Sequence, residues 1–159
     1  MIISIDPSYN KKIGIAWFHK NKIKYTSILE KNDFNIKTRN FLTIAKKVHD
    51  FIIELLPKDE HNTVVIEDQW LGRNADTYSK LLAVRYLITG MLYISRPEVD
   101  VIPVNPKTWQ AKTLKLCKVK SEIIKIASIK YASKLTNSEP TEDEADAITI
   151  LDYAINYIK

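Results

Sequence analysis

The chain has 159 residues and a formal net charge of +5, with 45% hydrophobic and 27% charged residues, proportions that suit one folded domain over residues 1–159 and exclude long disorder. No run approaches the roughly 20 apolar residues of a membrane span, and the N-terminus MIISIDPSYN lacks the basic start and cleavage site of a signal peptide. A single cysteine, Cys117, excludes an intrachain disulfide and a cysteine-rich zinc site, so a cytoplasmic protein without a membrane partner is expected, and the lysine excess favours a polyanionic one.

Met1 to Ile5 reads as a short buried strand stopped at Asp6-Pro7. Ile13 to Phe18 and Ile23 to Leu29 are two further strands, joined by the turn-prone His19-Lys20-Asn21-Lys22, which predicts an antiparallel meander. Apolar residues recur at helical spacing from Thr38 to Leu56, until Pro57 ends the run. Thr63 to Ile66 is a β-branched strand closed by Glu67, Asn74 to Ser95 a long helix, and Val99 to Val104 another strand. Two more helices, Ser121 to Leu135 and Thr141 to Ile158, complete the order β-β-β-α-β-α-β-α-α. The pattern predicts an α/β fold: a mixed sheet, its first three strands antiparallel, covered by helices.

Acidic residues crowd the start of the last helix. Thr141 and Glu144 have capping-box spacing, and acids in a first turn complement the helix dipole, which accounts for Glu142 and Glu144. It does not account for Asp146, which lies on the same stripe as Ile150, Tyr153 and Ala154, toward the sheet. Asp143 precedes it by three residues, so the two side chains emerge on one face about 5–6 Å apart. Carboxylates held together near a core must be protonated, hydrogen-bonded or neutralised by a cation. Asp6 and Glu67 each close a buried strand, at the carboxyl edge where α/β sites assemble, although a strand-end acid is also a common turn former. With the first and fourth strands adjacent and the last helix across them, Asp6, Glu67, Asp143 and Asp146 converge. Four oxygen donors without cysteines suit Mg²⁺ or Mn²⁺ better than zinc. His19, His49 and His61 show no metal-like spacing.

These residues resemble the RuvC-type Holliday junction resolvases of the RNase H-like and retroviral-integrase superfamily. The matching pieces are IDPS with the following Gly14, VVIEDQWLGRNADTYSKLLAVR from Val64 to Arg85, and DEAD from Asp143 to Asp146. The resemblance implies a five-stranded mixed sheet with helices on both faces, and a homodimer that cuts opposing strands of a four-way DNA junction. It implies two divalent metal ions, Mg²⁺ with Mn²⁺ as a substitute, held by Asp6, Glu67, Asp143 and Asp146. Trp70 matches an aromatic position that stacks on unpaired bases; Lys107 and Lys120 match basic positions near the scissile backbone, with Lys120 expected to stabilise charge at the cut.

Departures from the family pattern are Ser8 in place of a glycine and the stretch Lys112 to Lys118 in place of a glycine-containing one. They leave sequence preference at the cut site open and make a broader taste for branched DNA plausible. Small size and lysine-rich, glycine-poor composition point to a phage-type member.

The segment KTWQAKTLKLCKVK, Lys107 to Lys120, reads either as a solvated helix face with a packed Trp109 or as a DNA-facing stretch in which Lys107, Trp109, Lys112, Lys115 and Lys118 contact phosphates. Trp70 has the same two readings, core packing or stacking on a base, and its place between a strand and a helix favours stacking. Arg73, Asn74 and Lys80 complete the candidate DNA contacts. The function expected is metal-dependent hydrolysis of branched DNA to 5′-phosphate and 3′-hydroxyl ends. RNA–DNA hybrid or flap cutting and junction binding without catalysis are the alternatives.

Overall fold

The computed structural model describes residues 1–9, 12–28, 41–69 and 74–158. Its strands are β1 (Ile2–Asp6), β2 (Ile13–His19), β3 (Lys22–Ile28), β4 (Thr63–Glu67) and β5 (Asp100–Val104). Its helices are α1 (Phe41–Leu55), α2 (Ala75–Ser95), α3 (Pro106–Thr113), α4 (Ser121–Thr136) and α5 (Glu142–Tyr157). The expected order is present, with α3 added.

The five strands form one mixed sheet in the order β3-β2-β1-β4-β5. β1, β2 and β3 pair antiparallel as the meander predicted, and β4 and β5 extend the sheet in parallel from β1. The β2–β3 turn is tight, with Lys20 and Asn21 at φ 50° and 59°, the two left-handed residues that a two-residue hairpin loop requires.

Strand alternation divides the sheet into two faces. Ile3, Ile5, Ile13, Ile15, Val64 and Ile66 form a buried cluster with Ile44, Val48 and Ile52 of α1 and Val84, Ile88 and Leu92 of α2. Each fully buried aliphatic of this kind contributes about 1.5–3 kcal/mol of transfer free energy. On the other face, Ala16 packs with Ala145, Ala147, Ile148 and Leu151 of α5, and Val65 with Trp109 of α3 and with Ile150 and Ala154 of α5. Helices thus cover both faces, and among the described residues none is long and apolar enough to cross a membrane.

Two small residues let α5 lie close to the sheet. Ser4, the polar interruption of IISID, is fully buried and its hydroxyl donates to the Ala147 carbonyl at 2.6 Å. Gly14, paired with Asp6 across the β1–β2 ladder, sits directly beneath the first turn of α5: a Cβ there would stand 1.8 Å from the Asp143 carbonyl oxygen. Glycine is needed at this point for space.

Candidate active site

Asp6 is the last residue of β1 and Glu67 the last of β4. These strands are parallel neighbours with Ile5 opposite Ile66, so both acids stand at the same edge of the sheet. Asp6 has the parity of Ser4, and Glu67 the parity of Val65, which turns both toward the face that α5 covers. α5 starts over that edge and carries Asp143 and Asp146 in its first turns. The four predicted carboxylates are brought together by three elements from the two ends and the middle of the chain.

Electrostatics record this convergence. Asp6 is pushed well above the ordinary carboxyl range by burial first, then by the charges of Glu67, Asp146, Asp143 and Glu142. Burial pushes Glu67 up to about 8, opposed by a hydrogen bond from Trp109 and reinforced by Asp146 and Asp68. Asp146 is pushed up to about 6 by burial, with Ser128 opposing and Glu142 and Asp143 adding to the rise. Its Oδ1 is buried and, among the described residues, has no hydrogen-bond partner. An orphaned carboxylate oxygen amid three other acids is the arrangement a hard divalent cation relieves, so the donor set fits Mg²⁺ or Mn²⁺. Among the described residues no three such side chains stand close enough together, as placed, to hold a metal ion between them.

Trp109 corrects one expectation. It is 1% exposed, and its indole Nε1 donates to Glu67 Oε2 at 2.8 Å. A buried indole cannot lie on DNA; it packs in the core and holds a carboxylate. The helix that places it, α3, went unread in the sequence: its only apolar residues besides Pro106 are Trp109 and Ala111, too few for a clear stripe. The available signal was Asn105-Pro106, since Asn105 caps the helix by accepting from the Lys107 N–H at 2.9 Å and proline occupies the first turn.

The first turn of α5 divides its acids as follows. The backbone N–H and the hydroxyl of Thr141 both donate to the Glu144 carboxylate at 2.9 Å, as capping-box spacing implied. Glu142 has a partner outside its helix, Lys125 of α4, at 2.6 Å. Lys125 also acts on Asp146, and nothing in the sequence separated it from the other lysines of α4. Asp68, the residue after Glu67, bonds Arg85 of α2 at 2.7 Å. Arg85 is buried, its Nε without a partner among the described residues, and the pair ties the end of β4 to α2.

The other basic positions lie on α2, on α3 and its following loop, and at the start of α4. Lys80 pairs with Asp76 on α2 and stands 5.7 Å from the ring centre of Tyr9, just beyond Asp6-Pro7-Ser8. Asn74 caps α2, accepting from the Thr77 N–H at 3.1 Å. Lys107, Lys112, Lys115, Lys118 and Lys120 are exposed along α3, the following loop and the start of α4. Lys112 lies 5.6 Å from the ring centre of Tyr157, at the far end of α5, roughly 20 Å along the helix from Asp143. Trp70 and Arg73 lie outside the described residues.

No family model matches the chain, and no curated protein matches it by sequence. Solved structures do match it. A structure of Thermus thermophilus RuvC in complex with a Holliday junction substrate superposes with a TM-score of 0.69 at 15% identity, over 98% of this chain and 93% of that one. A second T. thermophilus RuvC structure gives 0.63 at 15% identity, over 97% and 95%. The yeast mitochondrial Holliday junction resolvase Ydc2 gives 0.58 at 12% identity, over 94% of this chain and 75% of that one. Nearly end to end, the chain has the fold of the RuvC-type resolvases.

Proposed function

We propose that the chain is a metal-dependent endonuclease that cuts four-way DNA junctions. The observation that carries this reading is the convergence of Asp6, Glu67, Asp143 and Asp146 at one sheet edge, with an unpartnered buried oxygen on Asp146. A fold shared with RuvC, whose structure holds a Holliday junction, supports the substrate. Asp6, between Glu67 on β4 and the α5 pair, would hold two Mg²⁺ ions together with Glu67, Asp143 and Asp146. When bound, such ions stabilise the charge that grows on the entering and departing oxygens of a phosphodiester during in-line attack by water. The residues of the chain do the rest: Trp109 orients Glu67, Gly14 and Ser4 fix the height of α5, and the lysines of α3 and its loop hold phosphates without reading sequence. Lys120, at the N-terminal boundary of α4, stabilises charge near the cut. Products carry 5′-phosphate and 3′-hydroxyl ends. The working unit is a homodimer; the exposed Tyr86, Tyr93 and Ile94 of α2 support a subunit contact on that helix.

Synthetic four-way junctions, flaps and RNA–DNA hybrids incubated with Mg²⁺, Mn²⁺ or EDTA test the reading. Paired cuts in the junction, dependent on metal, are expected. The Asp146→Asn variant should still bind the junction and cut it at least about 100-fold more slowly. Wild-type cutting by that variant removes Asp146 from the mechanism, and preferential cleavage of the hybrid replaces the junction as substrate.

A further inference from the structure

We propose that a cavity between α3, the loop 114–120 and the start of α4 receives one unstacked nucleobase of the DNA strand being cut. The inference rests on the nuclease reading and adds a subsite to it. The cavity measures about 500 Å³, within the usual range for small-molecule sites and enough for a single nucleotide. Leu116, Val119 and Ile124 give it apolar walls, and Lys107, Lys118 and Gln110 supply its polar groups. Among the described residues no acidic side chain lines it. Apolar walls take the faces of a base, an amide reads its edge, and lysines take the phosphates on either side. A duplex is too wide to enter.

Two further observations point the same way. The loop is held in an unfavourable backbone: Lys115 and Lys118 adopt φ 59° and 55°, where lysine is disfavoured and glycine or asparagine usually stands. Gln110 fixes the turn, its carbonyl accepting from the N–H groups of Leu114 and Leu116 at 3.1 and 3.2 Å. Strain kept in place around a cavity is a mark of a binding wall. Two lining residues also neighbour, along their helices, residues that bond the acids. Gln110 follows Trp109, which bonds Glu67, and Ile124 precedes Lys125, which bonds Glu142. In the proposed pose a strand whose phosphate lies at the acids places a neighbouring base in this pocket. At a branch point, where bases lose stacking partners, drawing one out costs least.

Cys117 lines the cavity and is exposed, and it is the chain's single cysteine, so a bulky aromatic disulfide reagent blocks the pocket at one site and dithiothreitol clears it. The probe is a four-way junction carrying 2-aminopurine at successive positions around the crossover, bound in Ca²⁺. Fluorescence should rise at one position with the full chain, vanish when Cys117 is blocked, and return on reduction, with affinity about 10-fold weaker in the blocked state. Val119→Phe, which fills the cavity without chemistry, should behave like the blocked protein while keeping its circular dichroism. Blocked protein that binds, cuts and fluoresces as before overturns the pocket and leaves the nuclease reading standing. Failure of the unblocked protein to bind or cut any DNA overturns both.

Discussion

Replacing Gly14 by alanine tests how the site is assembled, because the added methyl group meets backbone. A Cβ at Gly14 would stand 1.8 Å from the Asp143 carbonyl oxygen, 2.5 Å from its carbonyl carbon and 3.2 Å from the Ala147 Cβ. Contacts below 3.0 Å are essentially unknown for real Cβ atoms, and a helical carbonyl cannot rotate aside as a side chain does. Either β2 or the first turn of α5 must therefore retreat by about 1 Å or more. Overpacking of this kind costs about 1–3 kcal/mol, and stretching the bond from Ser4 to the Ala147 carbonyl adds about 1 kcal/mol. A loss of about 2–4 kcal/mol in urea unfolding is expected. The same shift moves Asp143 relative to Asp6, which pairs with Gly14, and a misplacement of about 1 Å lowers a catalytic rate by about 100-fold. Unfolding free energy within about 0.5 kcal/mol of wild type, the range of an innocuous surface change, would refute the proposed approach of α5 whatever the substrate proves to be.

Further outcomes follow from the electrostatics and the packing. In metal-free protein the raised carboxyls of Asp6, Glu67 and Asp146 keep protons that the unfolded chain has released. The folded state then binds more protons between about pH 4 and pH 8, so stability falls as pH rises through that window; saturating Mg²⁺ should reduce the fall. Thermal denaturation in EDTA and in Mg²⁺ measures both, and a metal-free stability flat from pH 4 to pH 8 would contradict the cluster. Trp109→Phe keeps a packed ring but deprives Glu67 of the donor that lowers its pKa; Mg²⁺ should bind about 10-fold more weakly, read from the metal dependence of the melting temperature. An unchanged Mg²⁺ response would reduce Trp109 to a packing residue. Asp68→Ala leaves the Arg85 guanidinium, 10% exposed, without its partner. Since Asp68 is itself 38% exposed, the expected cost is roughly 2 kcal/mol rather than the 3–5 kcal/mol of a fully buried pair, and a urea midpoint matching wild type would show that water already serves Arg85.

Those parts of the fold that depend on local period were legible in the sequence. Val64-Val65-Ile66 announces a strand and Glu67 its end, and Asp146 betrays itself by falling on the stripe of Ile150 and Ala154. Gly14 was visible as a glycine after IDPS, but its reason lies in a helix from the other end of the chain, and no local pattern contains that information. Trp109 failed for a related cause. Among lysines it reads equally as a DNA contact or as core, and only the packing of α3 against β4 and α5 decides. Lys125 has the spacing of an ordinary solvated lysine; its meaning comes from Glu142 on the next helix. Sequence reports which residues want burial and where chains turn, while the partner of a charge is a tertiary fact.

The partners found for these charges form a graded set, and the grading bears on the chemistry. Asp68 has Arg85, Glu142 has Lys125 and Glu144 has Thr141. Among the described residues Glu67 has an indole donor, and Asp146 keeps one oxygen buried without a hydrogen-bond partner. For Asp6, on the strand central to the sheet, burial and all four neighbouring charges push the same way. Neutralisation by the protein thus weakens from the periphery of the cluster toward Asp6. A structural ion-pair network would place its cations at the centre, where burial makes an uncompensated charge most costly. Among the described residues the cations stand at the rim, and on the proposed reading the centre is left for a divalent ion, whose binding would draw on the same free energy as folding. A site kept so at the expense of stability is expected to work on its ligand rather than to brace the fold.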